Sequence, residues 1–391
     1  MHKIFFFTAL ISVVLLNVNG QGKRNDVYFI DTHNDVLSKQ MVNPVDLSKE
    51  QTSTEFDLPK ARRGNLAAQV FSIWCDERYG TGKAYAWANR EIDSLYALVE
   101  RNSDNMKLVT NSKELRKAIK KRKLGALIGV EGGHMLENRI DYVDSLYNRG
   151  MRYLTLTWNN STPWATSAKD EVTKKDSLSF KGLTEEGKQI VRRMNQLGVM
   201  VDVSHAGEKT FYDVLSASLK PVIATHSCAY SLNPHRRNLK DEQLKAIAKN
   251  GGVVFVNFYS EFIDSTYKDK YDKFVSLHKK EIDSLAKFVE DPDVATYQVT
   301  RLHKDEMDAF RPPLSFLIKH IDYIAKLIGV DHVGIGSDFD GAESFPQQMD
   351  NVSDYPLIVT ELKKLGYSVD DIKKIASGNF IQVFKANEKK L

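Results

Sequence analysis

Histidine and carboxylate side chains recur at the ends of apolar stretches in this chain. The first example is Phe29-Ile30-Asp31-Thr32-His33-Asn34-Asp35, an apolar run that ends in a His-x-Asp pair. Because side chains at positions i and i+2 of a strand point to the same face, His33 and Asp35 can converge on one point. An imidazole and a carboxylate suit a divalent ion such as zinc. A single pair is equally typical of a solvated strand end, so the interpretation depends on the other strands.

Four further apolar stretches end in residues of the same kinds. They run into Glu131-Gly132-Gly133-His134, Ser204-His205, Thr225-His226 and Ser337-Asp338-Phe339-Asp340. If the stretches are parallel strands of one barrel, their carboxyl ends meet at its mouth, where barrel enzymes carry out their chemistry. The imidazoles and carboxylates together exceed the ligands that one catalytic zinc requires. The sequence therefore favours two ions.

The ligands divide naturally between two ions. His33 and Asp35 would hold one of them, and His205 and His226 the other. Glu131 would offer one oxygen to each. Two metals about 3.5–4 Å apart can trap a bridging hydroxide and polarise the bond that it attacks.

The apolar stretches alternate with helical patterns, which predicts an α/β protein with a (β/α)8 TIM barrel. Continuous hydrophobic runs, typical of parallel strands buried on both faces, predict strands at 27–32, 66–74, 124–130, 153–157, 199–203, 222–225, 253–258 and 333–336. Helical spacing and end signals predict helices at 85–101, 112–121, 139–149, 184–197, 241–250 and 313–328. No linker divides the chain, so we expect a single domain over 21–391.

Residues 259–311 form the largest interruption of the pattern. They are rich in Lys, Asp, Tyr and Glu, and parts such as 274–289 look helical. An insertion of this length after the seventh strand is more typical of a lid or a helical excursion than of disorder. We expect it above the barrel mouth, where it could enclose a substrate.

The composition indicates a globular protein, and the N-terminal pattern indicates that it is exported. The balance of 55 Lys+Arg against 51 Asp+Glu gives no nucleic-acid signature. His2 and Lys3 precede a short apolar run and a small-residue end, which predicts a secretory signal at 1–20. The run is shorter than the ~20 residues of a membrane span, so we expect no membrane anchor. The location would be periplasmic in a Gram-negative source and otherwise secreted. Cys75 and Cys228 are expected as buried free thiols.

Five spaced motifs carry a family resemblance. FIDTHND, GVEGGH, DVSH, THSCAYS followed by RRN, and GIGSDFDG, in this order, resemble the membrane dipeptidase (renal dipeptidase) family of zinc metallopeptidases, peptidase family M19. The resemblance implies a (β/α)8 barrel with two Zn2+ ions per chain, and a chain that is often a homodimer. It implies dipeptide substrates, and it leaves open whether the C-terminal residue can be a D-amino acid. The implied metal ligands are His33, Asp35, Glu131, His205 and His226.

The resemblance also implies two residues that act on the substrate. Arg237 matches the family residue that binds the free carboxylate of a dipeptide, a role that suits a planar guanidinium. Asp338 matches the acid/base residue beside the metals, which with Glu131 would complete the catalytic pair. Asp340 is expected to be a loop or cap residue, and His134 is expected to support Glu131.

One position departs from the family pattern. Many relatives carry a histidine after the strand equivalent to 153–157, whereas this chain has Trp158, Asn159 and Asn160. We expect Trp158 and Asn159 at the substrate, with an asparagine donating the hydrogen bond to the scissile carbonyl or with that bond absent. Two alternatives to a dipeptidase stay open: a metal-dependent amidohydrolase acting on a lactam or an N-acyl amino acid, and a catalytically inactive binding protein on the same barrel.

Overall fold

Eight parallel strands form a closed barrel within the described part of the chain. The computed structural model describes residues 27–289 and 292–389, so the predicted signal at 1–20 lies outside it. The strands are β1 (Phe29–Asp31), β2 (Leu66–Ile73), β3 (Met106–Leu108), β4 (Leu124–Glu131), β5 (Met151–Thr155), β6 (Met200–Asp202), β7 (Ile223–Ala224), β8 (Val253–Val256) and β9 (Val333–Ile335). The barrel runs β1-β2-β4-β5-β6-β7-β8-β9, and Asp31 pairs with Ile335 to close it. The predicted (β/α)8 fold is confirmed.

The strand β3 corrects the predicted strand set. It lies outside the barrel and pairs with the first residues of β4, with Met106 opposite Leu124. Its three residues include the exposed Lys107, so it lacks the continuous apolar run that marks a buried strand. Several barrel strands are also shorter than predicted. At the end of β7, for example, Thr225 N–H donates to Asp202 Oδ1 (2.9 Å) and leaves the strand ladder.

Eighteen α-helices surround the barrel in the described residues. They are α1 (Val36–Val42), α2 (Leu58–Arg63), α3 (Gly80–Arg101), α4 (Ser112–Lys120), α5 (Asp141–Asn148), α6 (Ala168–Thr173), α7 (Glu185–Leu197), α8 (Glu208–Ala217), α9 (Asp241–Asn250), α10 (Ser260–Ile263), α11 (Tyr267–Leu277), α12 (Lys279–Leu285), α13 (Pro292–Leu302), α14 (Lys304–Phe310), α15 (Leu314–Ile328), α16 (Pro356–Lys364), α17 (Val369–Lys373) and α18 (Asn379–Asn387). The six predicted helices correspond to α3, α4, α5, α7, α9 and α15. Their boundaries follow local signals, as in α7, where the Thr184 hydroxyl accepts from Gly187 N–H and Gly198 ends the helix at φ +84°.

Apolar side chains fill the barrel interior. Tyr153 on β5 reaches across the barrel, where its hydroxyl donates to Thr32 O at 3.1 Å. The same buried cluster contains Ile30, Val70, Leu127, Met200, Ile223, Val253 and Phe255. Helix α18 contributes Phe380, whose ring centroid lies 6.0 Å from that of Phe255. A separate cluster fills the space between strands and helices, so the barrel is packed on both faces and holds its carboxyl ends rigidly.

The predicted insertion, 259–311, follows β8 and contains the five helices α10 to α14. Its helical nature is therefore confirmed. It buries an apolar cluster of its own, formed by Tyr267, Phe274, Ile282, Ala295, Val299 and Met307. The Tyr267 hydroxyl donates to Glu343 at 3.1 Å, and Arg301 lies 3.7 Å from Glu55, so the insertion contacts the loops after β9 and β1. Its closure over a substrate stays a prediction.

Two further expectations concern the cysteines and membrane spans. Cys75 and Cys228 are buried free thiols, as predicted. Among the described residues, no helix combines the length and the apolar character needed to cross a membrane.

Candidate active site

The predicted metal-binding side chains meet at the barrel mouth around Glu131, the last residue of β4. Glu131 Oε2 lies 3.3 Å from Nε2 of His33, which follows β1. Glu131 Oε1 lies 3.0 Å from Nε2 of His205 and 3.4 Å from Nε2 of His226, which follow β6 and β7. A single buried carboxylate therefore faces two different groups of donors.

Asp35 and Asp338 complete the group around His33. His33 Nε2 lies 3.4 Å from Asp35 Oδ2 and 3.9 Å from Asp338 Oδ1. Asp338 is held by its own N–H, which donates to His33 O at 3.1 Å, and by Asn257 Nδ2, which donates to Oδ2 at 2.9 Å. Its other oxygen is thereby directed at the site. Burial raises the pKa of Asp338 to about 7.

Tyr153 fixes the orientation of His33. Because the Tyr153 hydroxyl donates to Thr32 O, it accepts from His33 Nδ1, which lies 3.0 Å away. Nδ1 then carries the ring proton, and the Nε2 lone pair faces the carboxylates of the site. Gly129 makes room for this arrangement, since a Cβ at that position would lie 2.0 Å from the Tyr153 ring.

A similar relay orients His226. The Thr225 hydroxyl donates to Asp202 Oδ2 at 2.7 Å and accepts from His226 Nδ1 at 2.8 Å. Asp202 Oδ2 also accepts from the Thr155 hydroxyl at 2.5 Å. The His226 Nε2 lone pair therefore points toward Glu131, which is the tautomer that a metal ligand requires.

The backbone at two of these residues adopts the left-handed conformation. His205 and Asp338 both have φ of +64°. This conformation is uncommon for residues other than glycine and persists where the surroundings enforce it. In both cases the strand has just ended, and the turn directs the side chain into the mouth.

The electrostatics favour neutral His205 and His226 beside an ionised Glu131. Burial, with a contribution from Arg237, lowers the pKa of His205 to about 3. Burial and the neighbouring His33 hold the pKa of His226 well below its usual value. Burial opposes ionisation of Glu131, but the imidazoles around it hold its pKa well below the usual range. These are the protonation states of metal ligands.

The residues present fit divalent metal ions. Within the described chain, His33 Nε2 and Asp35 Oδ1 are buried atoms without a hydrogen-bond partner. Burial lowers the pKa of His33, but Tyr153, Glu131 and Asp35 raise it well above its usual value, so this point attracts positive charge. Two overlapping groups bring their ligand atoms within 4.8 Å of one another, and these groups are His33–Glu131–His226 and His33–Asp35–Asp338. Imidazole nitrogen with carboxylate oxygen is a typical zinc donor set.

Arg237 lies beside this centre, and one of its hydrogen-bond donors has no partner among the described residues. It is buried, its Nη2 donates to His226 O at 3.3 Å, and its Nε has no hydrogen-bond partner. Its guanidinium lies over the Phe262 ring, 5.3 Å from the centroid. Burial lowers the pKa of Arg237 to about 10. A buried guanidinium of this kind favours an anionic group of a ligand.

The loop after β5 contributes an aromatic wall. Trp158 packs against Trp74, with ring centroids 5.1 Å apart, and its ring lies 6.3 Å from that of His205. Asn159 is anchored through its carbonyl, which accepts from Ser167 Oγ at 2.7 Å. Asn160 Oδ1 is buried without a hydrogen-bond partner. The loop therefore borders the donors, and the wall is apolar.

His134 and Asp340 have structural contacts. The prediction that His134 supports Glu131 is wrong, because its Nε2 bonds to Cys75 O at 2.9 Å and its Nδ1 has no partner. The turn that begins after Gly132, at φ +95°, carries the ring toward the chain beyond β2. Asp340 is a buried loop residue, 3.0 Å from Lys39 Nζ, and it accepts backbone N–H bonds from residues 55 and 56.

Three residues of the site were not predicted from the sequence. Tyr153 orients His33, Asp202 orients His226 through Thr225, and Asn257 positions Asp338. Asp202 and Asn257 had a detectable signal, since each is a polar group inside an otherwise apolar predicted strand. Tyr153 begins the predicted strand 153–157 and carried no such signal.

A closed parallel barrel that gathers imidazoles and carboxylates at its mouth defines a metal-dependent hydrolase of the (β/α)8 class. The chain matches the family model described as membrane dipeptidase (peptidase family M19) over residues 24–390. The protein therefore belongs to the membrane dipeptidase family. Membership makes it a metallo-dipeptidase, a peptide-bond hydrolase that requires a metal cofactor.

Solved structures with the same fold cover nearly the whole chain. The dipeptidase AC, a metallopeptidase of family M19, has a TM-score of 0.76 at 23% identity and covers 93% of this chain and 99% of its own. A metallopeptidase from Rhodobacter sphaeroides, liganded with a phosphinate mimic of L-Ala-D-Ala, has a TM-score of 0.75 at 22% identity, covering 92% and 99%. The probable dipeptidase PvdM from Pseudomonas aeruginosa has a TM-score of 0.75 at 23% identity, covering 93% and 96%.

Proposed function

We propose that this protein binds two Zn2+ ions at the barrel mouth and hydrolyses dipeptides that have a free C-terminal carboxylate. The observation that carries the proposal is the Glu131 carboxylate, whose two oxygens lie 3.3 Å from His33 Nε2 and 3.0 Å from His205 Nε2. His33 and Asp35 would hold one ion. His205 and His226 would hold the other, with Glu131 shared between them.

The residues around the metals would divide the chemistry. When bound, the two ions supply Lewis acidity toward the scissile carbonyl and a hydroxide nucleophile at neutral pH. Asp338 accepts the proton of the nucleophile at Oδ1 and delivers it to the leaving amine. A carboxyl group whose pKa is raised to about 7 suits both halves of that transfer. Asn257, which donates to Oδ2, keeps Oδ1 directed at the reacting atoms.

Arg237 would select for dipeptides by binding the C-terminal carboxylate. Its buried guanidinium has an unpartnered Nε, so it can grip a carboxylate with two parallel hydrogen bonds. Because the guanidinium donates to the carbonyl of His226, a proposed metal ligand, the bound carboxylate would lie beside the metal centre. A longer peptide would carry an amide there and leave the charge unpaired.

Trp158 and Asn159 would border the other side of the substrate. The Trp74–Trp158 wall suits an apolar side chain, and an asparagine amide on the same loop can donate to the scissile carbonyl. Substitutions Asn159→Ala and Asn160→Ala test that donor. If both leave kcat unchanged, the loop has no such role.

The proposal extends to dipeptides with a C-terminal D-residue. The Rhodobacter sphaeroides metallopeptidase is liganded with a mimic of L-Ala-D-Ala. The Arg237 contact that we propose depends on the carboxylate, which an L- and a D-residue share.

A substrate panel tests the function. Purified protein would be assayed with L,L- and L,D-dipeptides, their C-terminal amides, a tripeptide, lactams and N-acyl amino acids, before and after removal of metal by a chelator. We expect hydrolysis of free dipeptides, its loss on chelation and its return with Zn2+. Faster turnover of lactams or N-acyl amino acids than of any dipeptide would favour the amidohydrolase alternative. Full activity after complete metal removal would refute the proposal.

We also infer that the protein is exported, from the signal pattern in residues 1–20. N-terminal sequencing of the protein from its native source is expected to begin after this segment. A mature chain that begins at Met1 would contradict the inference.

A further inference from the structure

The helical insertion contains a second cluster of possible metal ligands. The sequence repeats a His-x-x-Glu pattern, first as His278-Lys279-Lys280-Glu281 and then as His303-Lys304-Asp305-Glu306. His278 lies at the break between α11 and α12, and His303 lies at the break between α13 and α14. In both cases the glutamate falls in the first turn of the helix that follows. The four residues are called here the insertion cluster.

The histidine of each His-x-x-Glu copy contacts the glutamate of the other copy. His278 Nε2 lies 3.1 Å from Glu306 Oε2, and His303 Nε2 lies 2.8 Å from Glu281 Oε2. The other nitrogen of His278, Nδ1, lies 3.5 Å from the same Glu281 oxygen. The two imidazole rings lie with their centroids 3.9 Å apart and their planes tilted by 40°. One nitrogen of each ring and a Glu281 oxygen lie within 4.8 Å of one another.

These separations match those of ligands around one ion. Nitrogen and oxygen ligands about 2.0–2.2 Å from a tetrahedral zinc lie roughly 3.4 Å from each other. Before any adjustment of the side chains, Glu281 Oε2 lies 2.8 Å from His303 Nε2 and 3.5 Å from His278 Nδ1. Its floor is apolar, because Phe274 is buried and its ring lies 4.4 Å from that of His278.

Plain ion pairing explains the arrangement less well. A partly exposed pair of this kind contributes about 0–1 kcal/mol, which gives little reason to bring two imidazoles within 3.9 Å of each other. When a neutral His278 ring donates from Nε2–H to Glu306, its Nδ1 lone pair faces a Glu281 oxygen 3.5 Å away, so that two acceptors meet. A divalent ion between them would satisfy both.

We propose that His278, Glu281 and His303 bind one divalent transition-metal ion, with Glu306 orienting His278 through a contact of 3.1 Å to its other nitrogen, Nε2. Imidazole donors favour Zn2+, Co2+ or Ni2+ over Ca2+ or Mg2+, which prefer oxygen ligands. The ion would join the α11–α12 arm to the α13–α14 arm above the apolar cluster of Tyr267, Phe274, Ile282, Ala295, Val299 and Met307. Its role is structural, since all three ligands come from the insertion and none from a barrel strand.

Zinc stoichiometry tests the site. Metal-free full-length protein would be brought to equilibrium with Zn2+ by dialysis and the bound metal counted. The wild type is expected to bind one equivalent more than His303→Gln. Glu281→Gln should show the same loss, and it serves if His303→Gln does not fold, as judged by circular dichroism. The control His332→Gln removes an imidazole outside the cluster and should bind as the wild type does. Equal zinc binding by the wild type and the cluster variants would overturn the proposal.

Hydrogen exchange gives a local measure of the same site. Adding Zn2+ to the metal-free wild type is expected to slow amide exchange in residues 267–310, and this slowing should be absent in His303→Gln. Equal slowing in the variant would overturn the proposal. Neither measurement depends on dipeptide hydrolysis, so a failure here leaves the proposed function untouched, and the reverse also holds.

Discussion

Replacing Arg237 with methionine is expected to abolish the preference for a free C-terminal carboxylate. The guanidinium is buried, its Nε has no hydrogen-bond partner, and its Nη2 makes a bond of 3.3 Å to His226 O. Glu131, Asp338 and Asp202 attract the charge but offset its burial only in part. A substrate carboxylate would supply the missing compensation.

The expected magnitude follows from the burial of the charge. Burial lowers the pKa of Arg237 from 12.5 to about 10, which corresponds to about 3 kcal/mol. A carboxylate that restores this free energy would raise kcat/KM by about 10²–10³-fold over the amide. This magnitude agrees with the 2–5 kcal/mol typical of truncating one partner of a buried charge pair.

The assay compares two substrates on four enzymes. The kcat/KM for a dipeptide and for its C-terminal amide would be measured with the wild type, Arg237→Met, Arg237→Lys and the control Arg236→Met, whose side chain is exposed. Arg237→Met should lose about 10²–10³-fold on the dipeptide and change little on the amide. Arg237→Lys should lose less kcat/KM on the dipeptide, because lysine keeps the positive charge but lacks the planar N–H donors of the guanidinium. If Arg237→Met lowered kcat/KM for both substrates equally, Arg237 would only support His226 and the reasoning would be refuted.

Three further predictions follow from individual contacts. Asp338→Asn should lower kcat by about 10²–10⁴-fold without changing the zinc content, since the amide cannot accept a proton; a variant with full kcat would exclude the proton-transfer role. Tyr153→Phe should weaken zinc binding by about 10–100-fold, because His33 loses the hydroxyl that lies 3.0 Å from its Nδ1. Competition with a chromogenic chelator measures the affinity, and an unchanged affinity would contradict the orienting role of Tyr153. Glu343→Gln should raise the melting temperature at pH 8 but not at pH 4.5. Burial raises the pKa of Glu343 from 4.5 to about 7. Its contribution to the free energy of unfolding is therefore fully present below pH 4.5 and is lost as the pH rises through 7, a change on the order of 1–3 kcal/mol. Equal melting temperatures of the variant and the wild type at pH 8 would contradict this prediction.

The donors at the barrel mouth were predictable because they follow from strand order. Each of His33, Glu131, His205 and His226 ends an apolar run, and the parallel pairing of those runs brings their carboxyl ends together. No knowledge of rotamers was needed for that step. The sharing of Glu131 between two groups also followed, since β4 lies between β2 and β5 and its last side chain points inward.

The contacts that orient the donors were not predictable. Tyr153 reaches Thr32 across the closed barrel, and Asn257 reaches Asp338 from a neighbouring strand, so both contacts depend on the curvature of the barrel. His134 was misassigned for a related reason. The positive φ at Gly132 turns the following residues. The spacing of residues in the sequence does not indicate how this turn directs the His134 ring two positions later.

The insertion shows a different limit. The sequence predicted helix in parts such as 274–289, yet the approach of His278 to His303 arises from the packing of two helix pairs near Phe274. The His-x-x-Glu repeat was visible in the sequence, but its two copies are 25 positions apart, and nothing in either copy indicated that they meet.

The most direct test of the central claim is an anomalous difference map, measured at the zinc edge on crystals of the zinc-loaded protein. Two peaks are predicted at the barrel mouth, on opposite sides of the Glu131 carboxylate. His33 and Asp35 should contact the first peak. His205 and His226 should contact the second. A single peak at the mouth, or no peak within bonding distance of Glu131, would contradict the account.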